Sequence, residues 1–186
     1  EPVEIDGPEG RIEASVEEPE DILADHVAVV CHPHPLYHGT MRNKVVHTVA
    51  RAENLMRRPA VRFNFRGVGA SDGTYAEGVG ETDDLLAVIE WARRRWPGSG
   101  LWLAGFSFGS YVALRGAAQT ETGRLILVAP PVTRFAVAEL EAPARIVAEA
   151  RDLGMIDAPS VTYLQTRSGL LDERTIIVAE NQLLAG

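Results

Sequence analysis

The chain has 186 residues, 46% hydrophobic and 24% charged, enough for one globular domain that buries about 70% of the surface its unfolded form exposes. Its formal charge of −8 argues against nucleic-acid binding, which needs a basic surface, and no apolar run approaches the roughly 18 residues of a membrane span. A lone cysteine, Cys31, excludes an internal disulfide and fits a reducing compartment.

The acidic N-terminus is broken by Pro2, Pro8 and Pro19. It lacks the basic start and apolar stretch of a signal peptide, so a cytoplasmic location is expected. Arg11 to Val16 reads as an early antiparallel strand. Val27 to Cys31 reads as a buried strand, with Cys31 a small core residue rather than a reactive thiol. A His-Pro-rich loop follows, then a helix around Asn43 to Met56. Val61 to Phe65 is the next strand and runs into the loop Arg66 to Gly73. Gly80 to Trp96 places Leu85, Ile89, Ala92 and Trp96 on one helical stripe, and Pro97-Gly98 stops it. Within it, Arg93 to Arg95 suit the solvated end of a helix dipole. Leu101 to Phe106 predicts a buried strand, Phe108 to Ala118 an alanine-rich helix, and Arg124 to Ala129 a strand ended by Pro130-Pro131. Beyond about Arg145 the pattern weakens. A helix over Ile146 to Leu153 and short strands over Val161 to Gln165 and Thr175 to Val178 are expected there. Strands alternating with helices predict an α/β fold with an open, mostly parallel, doubly wound sheet, in a single domain spanning 1–186.

Between the strand ending at Phe106 and the helix starting at Phe108 lies Gly105-Phe106-Ser107-Phe108-Gly109. A serine hydroxyl is a poor nucleophile unless a base takes its proton and donors stabilise the oxyanion it creates. A sharp strand-to-helix turn lifts the hydroxyl clear of the backbone, and crowding at the turn demands glycine two residues before and two after. Gly105 and Gly109 meet that demand. The same turn aims the Phe108 N–H, at a helix N-terminus, where an oxyanion would form. Ser107 is therefore the candidate nucleophile. All five histidines, His26, His32, His34, His38 and His47, precede it.

Three of those histidines sit in His32-Pro33-His34-Pro35-Leu36-Tyr37-His38-Gly39, after the strand expected to neighbour the nucleophile strand. Such a loop supplies a second oxyanion N–H. Pro33 and Pro35 have none to give, which leaves His34, Leu36 or Tyr37, with Leu36 and His34 favoured. The spacing also suits metal ligands, but no Asp or Cys completes a set. His32 is better read as a backbone-bonded organiser of the loop. Gly67-Val68-Gly69 follows a strand as in a dinucleotide fingerprint, yet Asp72 occupies the third glycine position and the loop runs too long before a helix. No metal and no cofactor are expected. Arg66 reads as a strand-end residue fixing its loop at the site edge of the sheet.

Together these segments resemble the α/β-hydrolase superfamily, specifically small bacterial serine hydrolases with a Cys-His-Pro-His-Pro-Leu-Tyr opening. The matching stretches are Cys31 to Tyr37, Thr40 to Val46, Phe63 to Ser71, Trp102 to Gly109 and Leu127 to Pro131. The resemblance covers roughly Val27 to Ala144. It implies a sheet of α/β-hydrolase type, Ser107 as nucleophile, Phe108 N–H in the oxyanion hole, and esterase-like hydrolysis. Two features depart from it. His38 stands where relatives carry glycine, and the tail 145–186 lacks both the acid turn and the late histidine. That implies an altered or shortened C-terminal end. Asp152 lies near the expected acid turn and is the candidate acid, with Asp157 a second option. His38, or His34, is the candidate substitute base.

The expected function is therefore weak ester-type hydrolysis of a small-molecule ester or acyl substrate through acyl-Ser107, because no histidine follows the nucleophile. The alternative is a hydrolase-fold protein that binds an acyl or carbonyl ligand without turning it over. Neither nucleic acid nor membrane is an expected partner. An altered tail would leave the far edge of the sheet incomplete, which predicts marginal stability or a homodimer.

Overall fold

The computed structural model describes residues 1–23, 25–131 and 175–178. Asp152, Asp157 and the elements expected at 146–153 and 161–165 lie outside the described residues. The chain opens with a hairpin, β1 (Pro2–Gly7) and β2 (Gly10–Glu17), followed by β3 (His26–Cys31) and a single 3₁₀ turn (Pro35–Tyr37). Then come α1 (Lys44–Leu55), β4 (Ala60–Phe63), α2 (Val79–Arg95), β5 (Gly100–Phe106), α3 (Phe108–Ala117), β6 (Arg124–Val128) and β7 (Thr175–Val178).

These strands form one sheet in the order β1-β2-β4-β3-β5-β6-β7. The β1–β2 and β2–β4 pairs are antiparallel, and every pair from β4 through β7 is parallel. β7, paired along β6 from Leu125↔Thr175 to Val128↔Val178, matches the strand expected at its end of the chain. The N-terminal hairpin was not expected as such. Its prolines sit where a strand tolerates them, Pro2 at the first position of β1 and Pro8 in the turn. Val3, Ile5, Ile12, Ala14 and Val16 keep the period-two burial of a one-faced ribbon.

Strand β3 is buried at every residue, as a central parallel strand covered on both faces must be. Val27, Val29 and Cys31 face the larger core, built with Leu85, Val88, Ile89 and Ala92 of α2 and Val112 and Ala113 of α3. Ala28 and Val30 face the smaller core against Val46, Val49 and Ala50 of α1, an i, i+3, i+4 set on one helix stripe. Because β3, β4 and β5 run parallel, the loops that follow them emerge at one edge, where doubly wound sheets place their sites.

Candidate active site

Cys31 pairs with Gly105 across β3 and β5, which puts the His-Pro loop and the Ser107 turn side by side. Ser107 is half-buried and has φ 54° and ψ −117°, a conformation that costs a non-glycine residue about 1–3 kcal/mol. Its surroundings hold it there. Ser107 N–H donates to the Val128 carbonyl at 2.8 Å, and Ser110 N–H donates to the Ser107 carbonyl at 2.9 Å. The Ser110 hydroxyl lies 2.7 Å from the Gly105 carbonyl and 2.9 Å from that of Val128, tying the first turn of α3 to β5 and β6. A Cβ on Gly105 would run into the Gly109 carbonyl, and one on Gly109 into the Cys31 carbonyl and within 2.6 Å of the His32 carbonyl. Phe108 is residue one of α3, so its N–H lies outside the helix's own ladder.

The loop after β3 is organised by two imidazoles. His32 is fully buried. Its Nε2 accepts from Phe65 N–H at 3.0 Å, so its proton sits on Nδ1, which donates to the Pro33 carbonyl at 2.6 Å. Burial drives its pKa down to about 4, against a smaller upward pull from the Pro33 bond. It is a neutral brace between the loop and the end of β4, as the backbone-bonding reading expects. His34 Nδ1 accepts from Leu36 N–H at 3.2 Å, while its Nε2 lies 3.1 Å from the Tyr75 hydroxyl. The ring is packed among Tyr37, Tyr75 and Phe108 at centroid distances of 4.8 to 5.0 Å. Tyr37 N–H and Gly39 N–H both donate to the His34 carbonyl at 3.1 Å.

His38 closes this turn in the left-handed conformation, φ 60° and ψ 22°, and is exposed. That explains why glycine suits the position. His26 is buried 3.1 Å from Glu53 and stacked on Trp102 at 3.5 Å. It lies at the opposite end of β3, roughly 16 Å from Cys31 at 3.3 Å per residue. His47 is exposed on α1. Among the described residues, no side chain hydrogen-bonds the Ser107 hydroxyl, and no group of three or more His, Cys, Asp or Glu side chains is arranged to hold a metal ion. Burial also pushes the Cys31 thiol well above its ordinary pKa, so it is no second nucleophile.

The third wall is the loop between β4 and α2. Arg66 and Asp84 form a buried two-pronged ion pair, with Nη2 2.8 Å from Oδ1, and the Asp84 carboxylate also accepts from the Arg66 N–H at 3.0 Å. The bond to Asp84 raises the Arg66 pKa further. Arg66 thus fixes its loop, as expected. Glu81, fully buried, accepts from Ala76 N–H at 2.8 Å and Gly78 N–H at 2.7 Å. Glu13 accepts from Asn64 Nδ2 and Ala70 N–H, and these bonds hold its pKa below the usual carboxylate value. Sequence reasoning passed over Tyr75, Glu81 and Asp84. The only local signal was Glu81, three residues after the Gly78 that starts α2, in the manner of a capping box.

The family model described as X-Pro dipeptidyl-peptidase (S15 family) matches residues 11–166. An α/β serine hydrolase homologue from Coxiella burnetii is 36% identical with a TM-score of 0.75, over 97% of this chain and 86% of its own. A lidless α/β serine hydrolase from Xanthomonas campestris is 48% identical with a TM-score of 0.70, over 73% of this chain and 63% of its own. An uncharacterized protein from Rickettsia prowazekii (strain Madrid E) is 39% identical over 131 residues, 69% of this chain. The chain spans 54% of the length of that curated relative.

Proposed function

Because the chain belongs to the X-Pro dipeptidyl-peptidase (S15) family, within the α/β-hydrolase superfamily, we propose that it cleaves small esters through an acyl-Ser107 intermediate, with slow release of the acyl group. The observation that carries this reading is the strained Ser107 turn, locked by Gly105, Gly109 and Ser110 beside the first N–H of α3. In it, the Ser107 hydroxyl oxygen attacks the substrate carbonyl and the alcohol leaves. The developing oxyanion accepts from Phe108 N–H and from one loop N–H. Of the two favoured loop donors, Leu36 and His34, we take His34, because Leu36 N–H donates to the His34 ring within the turn.

The base is the weak component. His26, His32 and His34 have their ring nitrogens engaged away from Ser107, which leaves the exposed His38 as the substitute-base candidate on the site loop. Losing the histidine of such a triad costs on the order of 10⁶ in turnover, with about 10³ over water retained by the oxyanion hole and binding. Slow turnover follows. Asp152 is kept as the candidate acid, with Asp157 the second option.

Hydrolysis of a short activated ester, wild type beside Ser107→Ala, followed over many turnovers, tests the reading. A Ser107-dependent burst with slow steady release supports it. Release equal in both proteins refutes it. A second reading, in which an acyl or carbonyl ligand is bound and never turned over, is favoured by the same inventory of engaged histidines. It predicts the burst alone.

A further inference from the structure

We infer that Tyr75 is a positioning residue for the oxyanion loop, acting through the His34 ring. This rests on the proposed acyl-Ser107 chemistry for its consequence, but its geometry stands separately. A neutral imidazole carries one N–H. Since His34 Nδ1 accepts from Leu36 N–H at 3.2 Å, the ring proton is on Nε2 and donates to the Tyr75 hydroxyl oxygen 3.1 Å away. The turn sets the tautomer through Leu36 N–H, and the Tyr75 hydroxyl anchors the Nε2 end of the ring. The Pro35–Tyr37 turn is only three residues long, and the His34 ring is its side-chain cap. Whatever holds that ring holds the turn, and with it the loop that emerges alongside the Ser107 turn.

Tyr75 delivers its hydroxyl from a firm base. The next residue, Ala76, and Gly78 are bonded through their N–H groups to the buried Glu81 carboxylate. The Tyr75 ring also packs on Phe108, centroid to centroid 5.8 Å, so the loop after β4, the loop after β3 and the first residue of α3 meet at His34. Removing the hydroxyl takes this acceptor from His34 Nε2–H and loosens the ring that receives Leu36 N–H. Small misplacements of a catalytic donor are costly in rate.

The test is Tyr75→Phe, which keeps the ring packing and removes one oxygen. The rate of Ser107 acylation by a short activated ester should fall about tenfold, with the ester concentration that half-saturates the burst rate unchanged and the melting temperature preserved. In ¹⁵N spectra of the wild type, His34 should be the Nε2–H tautomer. In Tyr75→Phe hydrogen exchange at Leu36 should be faster. An Nδ1–H tautomer in the wild type, or a variant with unchanged Leu36 exchange and unchanged acylation rate, overturns the inference. If the wild type is never acylated at Ser107, the proposed chemistry fails, while the spectra still decide the role of Tyr75.

Discussion

At the scale of single residues, His32 has the sharpest consequence. In the fold it titrates near pH 4, against an ordinary value of 6.5. Below pH 6.5 the unfolded chain takes up a proton that the folded chain refuses, so stability falls as pH drops from 6.5 towards 4 and loses nothing more from this group below that. The full shift corresponds to roughly 3 kcal/mol. Chemical denaturation of wild type and His32→Gln at pH 7, 5.5 and 4.5 should show the gap between them narrowing as pH falls; a constant gap would mean His32 is not held neutral. His38 makes the opposite case. A left-handed histidine is strained where glycine is not, so His38→Gly should stabilise the fold by up to about 1 kcal/mol, read from the urea midpoint. With His38 as the base, the same variant should lose both the acylation burst and the slow steady release, and an unchanged burst would exclude it. The role of His32 as a loop organiser was legible from its place between a buried strand and a proline. That of His34 was not, because its partner Tyr75 lies 41 residues away.

At the scale of elements, the turn after β5 tolerates no side chain on its glycines. Gly109→Ala drives a methyl into the Cys31 carbonyl, backbone that cannot yield, and should cost more than about 3 kcal/mol or abolish folding, measured by expression and thermal melting. Asp84→Ala leaves the buried Arg66 guanidinium only its longer 3.5 Å contact with Glu9 and should cost about 3 kcal/mol, visible in the same melt. Most elements were legible because their burial period is local. The stripe Leu85, Ile89, Ala92 and Trp96 is buried as expected, and Asn43 caps α1 through Val45 N–H. Strand β4 ends at Phe63 rather than Phe65 for a reason no window of residues contains, since Phe65 N–H goes to the His32 ring instead of a neighbouring strand. β1 escaped notice because its apolar alternation is only Val3 and Ile5, set among prolines and acids.

At the scale of the whole molecule, the sheet is unevenly clothed among the described residues. α2 and α3 cover one face, while α1 alone covers the other, leaving Trp102, Phe106 and Ile126 only partly buried. No helix among the described residues is long and apolar enough to cross a membrane. We expect marginal stability or self-association, and a monomer by light scattering with a high melting temperature would count against that. The site assembles only at this scale, from loops after β3, β4 and β5, which is why the sequence displayed its parts but not their wiring. The most direct test of the central claim is intact-protein mass spectrometry after brief mixing with a short activated ester and acid quench. One acyl group per chain, mapped to Ser107 and absent from Ser107→Ala, is the expected result. No adduct, an adduct that persists in Ser107→Ala, or rapid Ser107-dependent turnover would contradict it.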